Sequence, residues 1–407
     1  MRTQSILAIV AATAVSATNL FVSDYGGNIT TFSLTASNGT YDLSQTFQTT
    51  ACAPNPSWLT VDIDRGLLFC MNEGLETVNG SLSSFTINHD GSLKHIKNET
   101  TVSGPVNGII YGNAAGQRGI ALAHYTGSEV SSWLLQGGGN FELNQNIPYT
   151  LAQPGPNAAR QEAPHEHEAI TDPTGQYILV PDLGADLVRV FSWDKTTLDL
   201  KALSPLVAPG GSGPRHAAFW NPYAVTGAGS DTYFYLVSEL ASTVTSYAVT
   251  YLPNNGGLNF TEVFKSTTYG LLNLPEGNAP AEIHVTAPSA LTHRQPDNRF
   301  LIISNRNNTS FHLPQPDGSV VPSDSLATFR LLADGTLAWV QLWPSGGLFP
   351  RQFSIDGTGS LVAVGNQNSQ NIAILSRDVA TGLIGEPVAR MSVPGNTTCI
   401  MWDEWNA

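Results

Sequence analysis

One pattern recurs along this chain and constrains its fold more than any other feature. A short strand begins at or near a proline and a turn of the DPTG kind follows. An apolar strand then ends in a polar residue, and an alternating strand comes last. Residues 164–194, PHEHEAITDPTGQYILVPDLGADLVRVFSWD, carry the whole unit. So do NPSWLTVDIDRGLLFCMNEG from Asn55, the stretch from Gly213 through YFYLVSELASTV, and AEIHV from Ala281 with FLIISNRNNTSF. PRQFSIDGTGSLVAVGNQNSQNIAIL from Pro350 is a fifth copy, and the segment from Gly104 to Leu135 is a looser sixth. Spacings of roughly 50–70 residues match four-stranded propeller blades. A seventh unit is split. LFVSDYGGNITTFSL at residues 20–34 lacks a first strand, and TCIMWDEW at 398–405 lacks the rest. Joined, they close the ring and remove the sheet edges that invite aggregation. The expected fold is all-β, a single seven-bladed β-propeller over residues 18–407.

Residues 1–17 read as a secretory signal. Arg2 gives the positive start, Ile6 to Ala14 the apolar stretch, and Val15-Ser16-Ala17 the small-residue cleavage site. Asn28, Asn38, Asn79, Asn98, Asn259, Asn307, Asn308 and Asn396 head glycosylation sequons. Together these predict a secreted, extracellular glycoprotein. No later segment is apolar enough to span a membrane. Only 12% of residues are charged and the net charge is −14, which argues against nucleic acid and suits a mildly acidic medium. A closed ring with few sticky edges predicts a monomer.

Three cysteines allow at most one intramolecular disulfide, so a core must hold the fold. Cys70, in LLFCM, reads as a buried thiol. Cys52 and Cys399 enter neighbouring blades at places the repeat makes equivalent, which predicts a Cys52–Cys399 bond.

In an antiparallel meander the first strand starts and the second ends on one face, opposite the DPTG-type turns. At or near first-strand entries stand His165, His167, Arg215, His216, Glu282, His284 and Arg351. At second-strand ends stand Glu73, Asp182, Glu239, Arg306 and Gln367. First strands line a propeller's channel, so these residues should ring one mouth of it. Within PHEHE, strand periodicity puts His165 and His167 on one face, with Glu166 and Glu168 pointing the other way or along the entry loop. Three roles compete for this run. The histidines could tie blades together by hydrogen bonds. They could ligate zinc, although the facing arginines repel a cation. Or one could be catalytic, beside arginines suited to an oxyanion. Asp182 and Glu73 read as turn or cap residues. His124, His293 and His312 read as surface or loop residues. The DPTG turns carry no phosphate role, since no helix follows them.

PHEHEAITDPTGQYILVPDLGAD, GPRHAAF, the SEL of YLVSELASTV, EIHV, LIISNR and PRQFSIDGTGSLVAVGNQNS resemble the seven-bladed propeller lactonase family. That family includes bacterial-type 6-phosphogluconolactonases and fungal carboxy-cis,cis-muconate cyclases. The resemblance covers nearly all of the chain after the signal. It implies a site of His167, Arg215, Glu239 and Arg306. His165, His216, Glu282, His284, Arg351 and Gln367 then surround the substrate, and no metal or other cofactor is expected. Opening a lactone needs an activated water and donors for the oxyanion. His167 suits the base, Arg215 and Arg306 the donors, and an ionised Glu239 the orienting group. A signal peptide disfavours intracellular phosphorylated or carboxymuconate substrates. The reading is therefore an extracellular aldonolactonase acting on a small lactone such as glucono- or cellobionolactone. The alternatives are a lactone-forming muconate cyclase, a 6-phosphogluconolactonase, or a non-catalytic propeller that binds sugars or protein.

Overall fold

The computed structural model describes residues 16–222, 231–287, 299–315 and 317–404. His293 lies outside them, as does the signal stretch before Ser16. Seven four-stranded antiparallel sheets follow one another around a ring. Their first strands are Pro56–Asp62, Pro105–Gly112, Ile170–Thr171, Pro214–Trp220, Ala279–Val285, Pro350–Ile355 and Thr397–Trp402. We number the blades 1 to 7 in that order. Four of these strands begin at proline, the strand position where a missing N–H costs no ladder bond. First strands of successive blades pack together around the centre, except that the first strand of blade 4 meets the second strand of blade 3. Blade 7 is the split unit: Thr397–Trp402 pairs with Ser16–Asp24, and Leu20 faces Trp402. An extra hairpin, Phe311–Pro314 with Val320–Ser323, projects from blade 5. His312 is exposed on it, as expected.

The core is seven cores, one in each gap between neighbouring blades. Trp220, Tyr233, Ile303 and Phe329 fill the gap between blades 4 and 5. Leu20, Phe32, Ile374 and Trp402 fill that between 6 and 7. Alternation along each strand supplies both gaps. Ile178 and Val180 face blade 2, while Leu179 and Tyr177 face blade 4. Emptying one such position (Phe to Ala) costs about 3–5 kcal/mol.

The disulfide differs from expectation: Cys52 is bonded to Cys70, with Cα atoms 6.4 Å apart, and Cys399 is a buried free thiol. The supposed equivalence of Cys52 and Cys399 fails by several residues. Cys52 lies in the loop ahead of blade 1, whereas Cys399 is the third residue of its strand. All three sulfurs occupy the core between blades 7 and 1. Alkylation of the denatured, unreduced protein is therefore expected to modify only Cys399. Reduction first should expose all three cysteines. Mass spectrometry reads the difference, and modification of Cys52 without reduction would contradict the pairing.

Candidate active site

The strand ladders fix which residues are equivalent. Tyr25, Glu73, Tyr125, Leu183, Glu239 and Gln367 each donate the backbone N–H to the carbonyl just ahead of their blade's first strand, at 2.7–3.0 Å. Arg306 pairs with Ala279 at the same level of blade 5. These seven residues form one ring at the channel mouth. Glu73, Glu239, Arg306 and Gln367 were expected there. Asp182 was placed there too, but it lies one residue short, and Leu183 takes the ring position. Asp182 matches Asn72, His124 and Ser238, buried polar residues at the strand ends. Its carboxylate accepts the N–H groups of His165 and Ala185, which is the cap role expected of it. Glu73 is no turn cap. It accepts from the Tyr25 hydroxyl at 2.5 Å and from Arg351 at 3.1 Å. His124 is not at the surface; it is fully buried and bonds Ser131 and the Val102 carbonyl.

A second ring comes from the first strands. Each of blades 1, 2, 4, 5 and 6 has a register shift there, as between Pro214 and His216. A bulge re-aims the side chain at the extra residue. In blade 4 that residue is Arg215, and in blade 6 it is Arg351. Blade 3 puts His167 at the same place, two residues after His165, whose carbonyl accepts from Leu183. Gly213 makes the approach to Arg215 possible. Its φ is +64°, and a Cβ there would lie 2.5 Å from Leu240.

The two rings converge on Glu239. Its carboxylate lies 2.8 Å from Arg160, 3.0 Å from Arg215 and 2.8 Å from Arg306. Burial opposes its ionisation, but Arg306, Arg215 and Arg160 outweigh burial and hold the carboxyl at about 2. Arg215 is almost wholly buried. Its Nε pairs with Glu239 out of line for a hydrogen bond, and its Nη1 has no protein partner. Burial and Arg306 push its pKa down to about 9, which leaves it cationic at neutral pH. Arg306 also donates to the carbonyls of Ala279 and Pro280 and stacks on Phe349.

His167 stands beside this cluster. Its ring meets the edge of Tyr125 at 5.5 Å, and its Nδ1 lies 3.2 Å from His216 Nε2. Burial, with Arg215, His216 and Arg351, holds its pKa well below the usual histidine range, so it is neutral. His216 Nδ1 lies 3.0 Å from Glu282, and burial holds His216 down to about 4. Burial alone would raise Glu282, yet His216 keeps it ionised below its ordinary value.

His165 goes to the structural role: it stacks on Tyr125 and uses both ring nitrogens, on the Tyr125 carbonyl and Glu162. Glu166 does not run out along the entry loop. It is buried in its own blade against Arg189, which also holds Asp182. Glu168 accepts from Ala217 N–H in the next blade at 2.7 Å. His284 lies 3.8 Å from Glu282 and edge-on to Phe353. Glu168, His216 and Glu282 each offer a donor atom within 4.8 Å of the others, the one such grouping among the described residues. His216 Nδ1 is held by Glu282 Oε1 and the Arg215 charge stands beside the group, so no metal is assigned.

Sequence reasoning missed Tyr25, Tyr125 and Arg160. The tyrosines sit at second-strand ends, and only the repeat position marks them. Arg160 sits in the irregular loop ahead of PHEHE, where the repeat gives no register.

A seven-bladed ring thus gathers a neutral histidine and buried arginines at one mouth, and this places the chain among propellers with a charged channel mouth. The family model described as Lactonase, 7-bladed beta-propeller, matches residues 13–402, and the chain belongs to that family. It is 27% identical over 383 residues to a probable 6-phosphogluconolactonase of Arthroderma benhamiae, covering 94% of this chain and 88% of the relative. A Bacillus subtilis 6-phosphogluconolactonase is 25% identical, covering 84% and 85%. The same fold occurs in the periplasmic gluconolactonase PpgL of Pseudomonas aeruginosa, with TM-score 0.73, 23% identity, and 95% and 99% of the chains covered.

Proposed function

We propose that the protein is an extracellular lactonase that opens the ring ester of aldonolactones such as glucono- or cellobionolactone. One observation carries the reading: neutral His167 faces the Arg215–Glu239–Arg306 cluster. His167 Nε2 takes a proton from water as the oxygen attacks the lactone carbonyl. Arg215 and Arg306 supply the positive charge that stabilises the tetrahedral oxyanion. The ring C–O bond then breaks, and the imidazolium returns its proton to the departing alkoxide. Glu239 fixes the guanidinium groups.

Three features support an extracellular setting. Residues 1–17 have the signal pattern, and Cys52–Cys70 suits an oxidising compartment. The sequon residues Asn38, Asn79, Asn98, Asn259, Asn307 and Asn396 are exposed. Asn28 and Asn308 instead spend their amides on Asp24 and the Asn305 carbonyl. The names of the relatives favour a second substrate, 6-phosphogluconolactone.

The test is pH-stat hydrolysis of glucono-δ-lactone at about pH 5.5 by protein purified from culture medium, with and without EDTA. Its N-terminus and its mass before and after deglycosylation are read on the same sample. Acceleration above the spontaneous rate, unaffected by EDTA, is expected. Acceleration only with the phosphorylated lactone would move the substrate to the second reading. An unprocessed N-terminus without glycan would sink the extracellular setting.

A further inference from the structure

Three blades, 2, 3 and 6, use the residue after the bulge as a strap to the next blade. Asn107 accepts from Ala169 N–H at 3.0 Å, and Gln352 from Ile400 N–H at 2.7 Å. Glu168 does the same for Ala217, and burial with the Glu282 charge pushes its carboxyl well up, so it acts as a neutral stand-in for the amides. Blades 4 and 5 depart from this. His216 occupies the strap position but does not strap. The Ile283 N–H it would bind is taken by Glu282's own carboxylate at 3.0 Å. That releases the His216 imidazole to lie between Glu282 and His167.

We propose that Glu282 and His216 are positioning residues that select the protonation pattern of His167. Glu282 Oε1 can only accept, so His216 carries its proton on Nδ1. His216 Nε2 is then a bare acceptor, and the facing His167 Nδ1 must carry a proton. His167 Nε2 is left with a free lone pair, as a general base requires. The proposal rests on His167 as the base. During the reaction one proton passes from water to His167 Nε2. No proton moves along the relay; the Glu282 charge stabilises the imidazolium through the oriented His216 ring. The other groups facing His167 are the Tyr125 ring and the charges of Arg215 and Arg351, and the two arginines oppose that imidazolium.

The test combines nitrogen-15 NMR of histidine-labelled protein with kinetics. The His167 resonance, assigned by its loss in His167→Ala, is expected to show a proton on Nδ1 and none on Nε2. Glu282→Gln keeps an acceptor oxygen but removes the charge. It should lower kcat by about 10-fold, a part of the ~10²–10⁴-fold that a positioned base supplies, and move the acidic limb to lower pH. His216→Phe should cost about 100-fold in kcat with little change in KM. A wild-type His167 protonated on Nε2 would overturn the proposal, even if a variant fails to fold. So would a folded Glu282→Gln with unchanged kcat and limb. A stoichiometric divalent ion in the purified protein, lost in Glu282→Gln, would put His216 Nδ1 on a metal and overturn it as well. Full turnover by His167→Ala would instead remove the base reading, leaving the NMR result to stand on its own.

Discussion

Glu239→Ala is expected to destabilise the protein by about 3–5 kcal/mol, the cost of removing one partner from a buried ion pair. Arg160, Arg215 and Arg306 would lose the carboxylate that offsets their burial, and two of the three are at most 5% exposed. Urea denaturation at neutral pH measures the loss. A change below about 1 kcal/mol, the range of solvated surface pairs, would show that the cluster is hydrated instead. A pH dependence accompanies it. The Glu239 carboxyl sits at about 2 when folded against 4.5 unfolded, so its stabilisation is present above 4.5 and fades as pH falls toward 2. His216 and His124, held down to about 4 by burial, act over an overlapping window. Their folded values lie below the unfolded 6.5, so the unfolded state binds protons first and stability falls as pH drops from 6.5 toward 4. Glu129 and Glu166, pushed up to about 7 and about 8 chiefly by burial, act in the opposite sense down to 4.5, so melting temperature should fall steeply only below about pH 4.5. Glu239→Gln should flatten only the lower part of that curve.

His167→Ala is expected to lower kcat for lactone opening by about 10²–10⁴-fold, the usual contribution of a general base. The fold should survive, because the lost ring contacts are with Tyr125 and His216. The wild-type pH profile is the sharper reading. Burial and Arg215 hold His167 below 6.5, so its base form persists in mildly acidic medium. The acidic limb of kcat/KM should lie below pH 6.5. A limb at or above that value, or full turnover by the alanine variant, would require another base.

The ring was legible because each blade repeats its turn and its apolar strand, and because the split unit leaves matching remainders at Leu20 and Thr398. Repeats aligned His167, Arg215, Glu239 and Arg306 with other charged residues at strand entries and ends, and the resemblance to the lactonase family singled out these four. What stayed hidden has physical causes. A bulge such as that at Arg215 leaves no mark in residue type. Asp182 follows a proline and precedes a leucine, so an alignment by apolar run slips by one residue there. His216 and Glu282 look like more mouth residues until the strap positions of Asn107 and Gln352 show what they have given up. Cys52 lies in a connecting loop, where the repeat assigns no neighbour.

Blade 7 also sets an order of events during synthesis. Its first strand, Thr397–Trp402, is the last strand to be made among the described residues, yet its partner Ser16–Asp24 is the first of them. A growing chain can assemble blades 3 to 6, and with them the site, while the ring is still open. Until the last strand arrives, Ser16–Asp24 keeps an unpaired edge, and Leu20, Val22 and Phe32 lack part of their cover. That edge is the aggregation-prone surface of any incomplete chain. A product stopped a few residues short of Thr397 would carry every residue of the site and still leave the ring open.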